Sequence, residues 1–149
     1  MATPKQLVLE LAESMGLDGL VVAENGVTGI QFDDLALNIH ADSENGELTL
    51  FLRLGDVPAD PSERLLQYAY LLKENNFSRN TGGAVLGIDD AESAVYLSHR
   101  FATDLLDAPH LERIVEGFLN LADSFIAGLR EAGQSASCKG GIPGGGMQV

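Results

Sequence analysis

The sequence predicts an α+β domain of order α-β-β-β-α-β-β-α, a twisted antiparallel sheet flanked by helices. Three observations predict it. Segments starting at Thr3 and at Asp107 repeat apolar residues at helical spacing behind a capping residue. Between residues 28 and 54, three runs alternate apolar and polar residues across short Asp/Asn/Gly turns, the pattern of an antiparallel meander. The middle stretch from Pro61 to Asp89 passes from a helix through Gly82-Gly83 to another alternating run, Ala84 to Ile88.

The first helix begins at Thr3-Pro4, where Thr3 can cap, Pro4 suits the first helical position and Gln6 completes a capping box. Leu7, Val8, Leu11, Ala12 and Met15 form its apolar face, and Gly16 stops it. Leu20 to Ala23 reads as extended, followed by a turn at Glu24-Asn25-Gly26. The meander strands are Thr28–Phe32, Leu35–Ala41 and Glu47–Leu54, joined by turns at Asp33-Asp34 and Asn45-Gly46. Ala84–Ile88 and Ala94–Phe101 form a hairpin, with Val95, Leu97, His99 and Phe101 on one face. The last helix opens at Asp107 and carries a stripe from Leu111 to Leu129, ending near Glu131. Residues 1–132 are expected to be the domain, and the Gly-rich 133–149 a flexible tail.

The middle helix differs from the other two. Asp60 caps it and Pro61 starts it. Leu65, Leu66, Ala69 and Leu72 form one stripe, and Tyr68 and Leu71 extend it around the cylinder. A helix apolar on several sides is buried on more than one of them. One small core cannot take all of that surface, so we expect a second chain to cover part of it. The five short strands also leave sheet edges that could accept an added strand.

The chain has 149 residues, enough for one real core, and a formal charge of −13. That charge repels nucleic acid and anionic membrane and favours basic or amphipathic protein partners. A lone cysteine, Cys138, cannot form an internal disulfide. The N-terminus shows no basic stretch before an apolar run, and no run is long enough to span a bilayer, so we expect a soluble cytoplasmic protein.

Catalytic signals are weak. His40, His99 and His110 have no metal-ligand spacing. Asp33-Asp34, Asp89-Asp90 and the Asp104/Asp107 pair fall at turns or helix starts, where Asp serves local hydrogen bonding. Gly140 to Gly146 lacks the Gly-Lys-Ser/Thr ending of a phosphate loop. The expectation is no enzyme, no cofactor and no metal.

A set of co-linear motifs resembles a known family. Leu71-Leu72-Lys73-Glu74-Asn75, followed by Thr81-Gly82-Gly83-Ala84-Val85-Leu86-Gly87-Ile88-Asp89, is similar to the "LLxxN…TGGAxLGxD" passage of class I type III secretion chaperones, the Tir-chaperone (CesT-like) family. Leu11 to Gly16 with Leu17 and Leu20, the Val95-Tyr96-Leu97 strand, and the FLNLADSFIAGL helix also resemble it, over about residues 5 to 131. Met15 stands in a leucine slot, and Phe125-Ile126 stands where an aromatic, often Trp, is common.

The resemblance implies a bacterial, cytoplasmic, ATP-independent homodimer that binds the N-terminal segment of a secreted effector in extended form. It implies a dimer seam near Leu65, Leu66, Ala69, Leu72 and Val85. It also implies effector-binding patches including Leu7, Leu11, Ile30, Phe32, Leu37 and Phe51, between the first helix and the meander. A regulatory module that sequesters a secretion regulator on the same fold is the alternative. A small enzyme built on distant carboxylates is a third reading.

Overall fold

A computed structural model describes residues 3–17 and 20–139. The elements are α1 (Pro4–Ser14), β1 (Val27–Phe32), β2 (Leu35–Asp42), β3 (Glu47–Asp56), α2 (Pro61–Asn75), β4 (Val85–Asp89), β5 (Ala94–Ala102) and α3 (Ala108–Lys139). Each helix starts where its cap chemistry places it. Thr3 and Gln6 form the reciprocal capping box of α1, Asp60 accepts from the Glu63 N–H at α2, and Asp107 accepts from the His110 N–H at α3. Gly16, at φ +74°, provides the left-handed residue after α1.

All strand pairs are antiparallel, in the order β1-β2-β3-β5-β4. The meander is as expected, but β3 pairs with β5 rather than β4, so α2 crosses between them and β4 becomes an edge. Leu37, Ile39, Leu48, Leu50, Leu52, Val95 and Leu97 point to one face and are almost wholly buried. All three helices pack on that face: α3 against β3, α1 over β2, and α2 against α3 and β4. The described residues therefore form two layers, and none of their helices covers the other face of the sheet. The β3–β5 register shifts between Arg53 and Gly55, a bulge at the end of the strand.

One detail agrees with the expectation and one differs. Leu20 to Ala23, expected as extended chain, lies outside the sheet and runs beside β1, with the Ala23 N–H on the Val27 carbonyl and the Thr28 hydroxyl on the Val21 carbonyl. The last helix does not end near Glu131 but continues to Lys139. A single Gly133 costs an established helix only about 1 kcal/mol, and propagation is far easier than nucleation. The remainder of the expected tail, residues 140–149, lies outside the described residues. Within α3, Gly128 lets α2 approach: a Cβ there would collide with the Tyr70 ring, which stacks edge-on against Phe125.

Candidate functional site: the β4 edge, helix α2 and the β1 edge

Helix α2 turns a narrow face inward. Only Gln67 and Leu71 are buried on it, while Leu65 and Leu72 are 70% and 73% exposed. Leu66 and Ala69 are half-buried at the border of that outer surface. On the neighbouring edge strand, Val85 and Ile88 are exposed as well. Tyr68, Leu72, Asn75 and Ile88 help to line a groove of 270 Å³ that joins helix to strand. Of the residues expected at a dimer seam, Leu65, Leu66, Ala69 and Leu72 lie along α2, whereas Val85, on the opposite face of β4 from Leu86, opens onto the uncovered side of the sheet. Two leucines this exposed leave a sizeable apolar surface without a partner among the described residues.

The expected effector-binding set is not brought together, and this is a correction. Leu7, Leu11 and Leu37 are completely buried, and Ile30 nearly so; they are the core between α1 and the meander. Phe32 is half-buried. Phe51 lies on the opposite face of the sheet, because Leu50 and Leu52 point inward and side chains alternate along a strand. There it neighbours Tyr96, with ring centroids 6.5 Å apart, in a 560 Å³ depression shared with Val85 and Ser98. The period-2 run through Leu48, Leu50 and Leu52 already carried this signal.

The two sheet edges are finished differently. At β4, the Asn75 side chain donates to the Leu86 carbonyl (2.7 Å) and accepts from the Leu86 N–H (2.8 Å). One amide thereby satisfies both outward backbone groups of that residue, as a neighbouring strand would. At β1, the Gly26 carbonyl accepts from the Ala41 N–H, so the pairs facing β2 are Thr28, Ile30 and Phe32. Val27 faces outward and is occupied, by the Ala23 N–H and by Asn25 Oδ1. The same alternation turns the N–H and C=O groups of Gly29 and Gln31 outward, beside an exposed glycine with no side chain to obstruct a second strand.

The titratable residues serve local structure. Asp42 accepts from the Glu44 and Asn45 N–H groups and from the Asn45 side chain, which holds its carboxyl below the usual range. Asp89 accepts from the Glu92 N–H within the β4–β5 turn. Burial lowers the pKa of His99, whose ring lies edge-on to Phe101. Among the described residues, no three His, Cys, Asp or Glu side chains converge to hold a metal. Also among them, no helix is long and apolar enough to cross a membrane.

Sequence reasoning missed the Asn75 bracket, although Asn75 was part of the motif, because its partner lies across a loop. That loop contains the 3-10 turn Asn76–Ser78, where Phe77 (φ 59°) and Ser78 (φ 54°) adopt left-handed backbone and Phe77 is 85% exposed.

Comparison with known proteins places this geometry. A profile of the Tir chaperone protein (CesT) family matches residues 6–125. A protein of Chlamydia pneumoniae is 26% identical over 126 residues, covering 84% of this chain and 95% of its own length. The fold is similar to that of a chain in the HopA1–SchA chaperone–effector complex, with a TM-score of 0.63 and 21% identity over 85% of this chain and 92% of that one. A chain from the Yersinia pestis type III secretion chaperone SycH in complex with a fragment of YscM2 also aligns, with a TM-score of 0.63 and 20% identity over 82% of this chain and 98% of that one. So does a chain of the Pseudomonas aeruginosa ExoT–SpcS complex, with a TM-score of 0.57 and 21% identity over 80% and 94%.

Proposed function

The chain belongs to the Tir chaperone protein (CesT) family, and from that premise we propose that it is an ATP-independent, cytoplasmic, homodimeric chaperone for the N-terminal segment of a type III secreted effector. The observation that carries the reading is the apolar flank of α2 and β4, where Leu65 and Leu72 stand in solvent. A second copy, related by a twofold axis, would cover this flank on both protomers at once. With Asn75 occupying the Leu86 edge, the seam would be built from side chains rather than from a continuous strand pair.

The cargo would then meet the other edge. An extended segment can add to β1 at Gly29 and Gln31, where backbone hydrogen bonds form whatever the cargo sequence. Alternate cargo side chains would fall on the two sheet faces. The Phe51–Tyr96 depression lies at the β4 end of the same uncovered face, several strands from β1, so a segment on β1 would reach it only by continuing across the sheet. Phe32, half-buried beside that edge, remains a candidate contact. Leu7, Leu11, Ile30 and Leu37 act beneath the surface, keeping it rigid.

Co-expression with a tagged chain in a host carrying a type III system, followed by mass spectrometry of what co-purifies, tests the reading. A secreted protein retained through its N-terminal residues is the expected result, and light scattering should give twice the chain mass. A monomer at micromolar concentration would remove the dimer. A cytoplasmic regulator as the retained partner would replace the escort role with sequestration.

A further inference from the structure

The Thr81-Gly82-Gly83 passage is only partly accounted for by the fold. Gly82 (φ +60°) and Gly83 (φ +97°) supply the left-handed backbone that turns the chain into β4. Thr81 is different. It is 2% exposed, and its hydroxyl has no hydrogen-bond partner among the described residues. A buried hydroxyl left unpaired costs stability, where a valine of the same shape would not.

Thr81 forms part of the wall of a 340 Å³ cavity between this loop, β5 and α3. The rest of the wall is mainly apolar, including Phe118 and Leu121, with Gly117 widening it. Its other polar residues are His99 and Arg113. A Cβ at Gly83 would lie 3.4 Å from His99 Nε2, so the glycine keeps this side of the imidazole close to the loop backbone. Arg113 is exposed and forms no ion pair among the described residues. Of its acidic neighbours on α3, Glu112 accepts from the Ser14 hydroxyl, and Glu116 lines a separate cavity by the β1–β2 turn. In a chain with 22 acidic and 9 basic residues, a guanidinium at the wall of an apolar cavity runs against the net charge.

We propose that this cavity is a recognition pocket for an acidic side chain, an Asp or Glu beside an apolar residue, in the extended partner segment. Arg113 would receive the carboxylate in a charge-assisted hydrogen bond, the Thr81 hydroxyl and His99 would offer further polar contacts, and the Phe118–Leu121 surface would take the neighbouring apolar group. The chaperone reading supplies the occupant, while the pocket chemistry stands on these residues alone.

The probe is a pair of tripeptides, acetyl-Leu-Glu-Leu-amide and its neutral twin acetyl-Leu-Gln-Leu-amide, titrated into the full chain and followed by amide NMR. The acidic peptide is expected to bind about tenfold more tightly, at millimolar concentration or below, moving the signals of Thr81, Gly82, His99 and Gly117. Arg113→Gln should erase the discrimination without moving the unfolding midpoint, and Arg113→Lys should restore part of it. Thr81→Val should weaken peptide binding without lowering stability, which a purely structural threonine would not do. Equal binding of the twins, shifts confined to other residues, or no shifts at all would overturn the proposal. If the peptides fail to discriminate while a secreted cargo co-purifies, the pocket falls and the chaperone reading stands. If they discriminate and no cargo is ever retained, the chaperone reading falls and the pocket stands.

Discussion

Helices α1 and α2 start alike and end up in opposite circumstances. Each opens on a capping side chain followed by proline, Thr3-Pro4 and Asp60-Pro61. Helix α1 sinks Leu7, Val8, Leu11 and Ala12 until each is 2% exposed or less. Helix α2 is longer, yet buries only Gln67 and Leu71. The cause is position. Helix α1 lies over β2, inside the sheet, beside α3, whereas α2 lies at the sheet margin with α3 on one side and the edge strand β4 beneath it. Apolar spacing makes a helix, but the number of neighbours decides how much of its apolar surface the chain itself can cover. Burying Leu65 and Leu72 would each contribute about 1.5–3 kcal/mol, a gain left for a second molecule.

The contrast can be broken most forcefully at Leu11. Leu11→Ala is expected to cost about 2–5 kcal/mol in urea unfolding, since it opens a cavity in the core. Leu72→Ala, measured on separated protomers, should stay within about 0.5 kcal/mol. Equal losses at the two sites would abolish the distinction.

The next largest effect concerns association. Leu65→Asp with Leu72→Asp should weaken the proposed dimer about 100-fold or more by analytical ultracentrifugation, because each charge would be desolvated in the proposed seam. Circular dichroism of the double variant should match the parent. An undiminished dimer would place the interface elsewhere.

A smaller effect separates the two sheet edges. Asn75→Ala removes both bonds to Leu86 and is expected to cost about 1–3 kcal/mol and to speed hydrogen exchange at the Leu86 amide. Unchanged exchange there would mean that the bracket is decorative.

The smallest effect is the pH response of His99. Its folded pKa is lowered by burial from 6.5, so the unfolded chain takes up the proton first. Stability should therefore decline as the pH falls through about 6.5, and the decline should flatten in His99→Gln. A parallel decline in both proteins would assign it to other groups.

Much of this was legible in the primary structure. The caps at Thr3, Asp60 and Asp107 act through residues three positions away, so local sequence specifies them. The meander was legible because its pairs are close in sequence and its faces alternate. Phe51 fell on the wrong face in our reading only because its apolar character was weighed above the parity of its own strand. The β3–β5 pairing, the Asn75 bracket across a loop and the unpaired Thr81 hydroxyl were not legible. Each depends on residues that approach only when α2 crosses the sheet margin.

The sequence by itself determined which segments are helix and strand, where they are capped, and that α2 carries more apolar surface than a small core requires, because those properties follow from period and neighbouring residues. Tertiary structure alone decided that Leu7 and Leu11 are sealed while Leu65 and Leu72 stand in water, that one sheet edge is bracketed and the other open, and that Arg113 and Thr81 share a cavity. Burial and edge satisfaction are set by which elements become neighbours in space, and the strand order β1-β2-β3-β5-β4 fixes that.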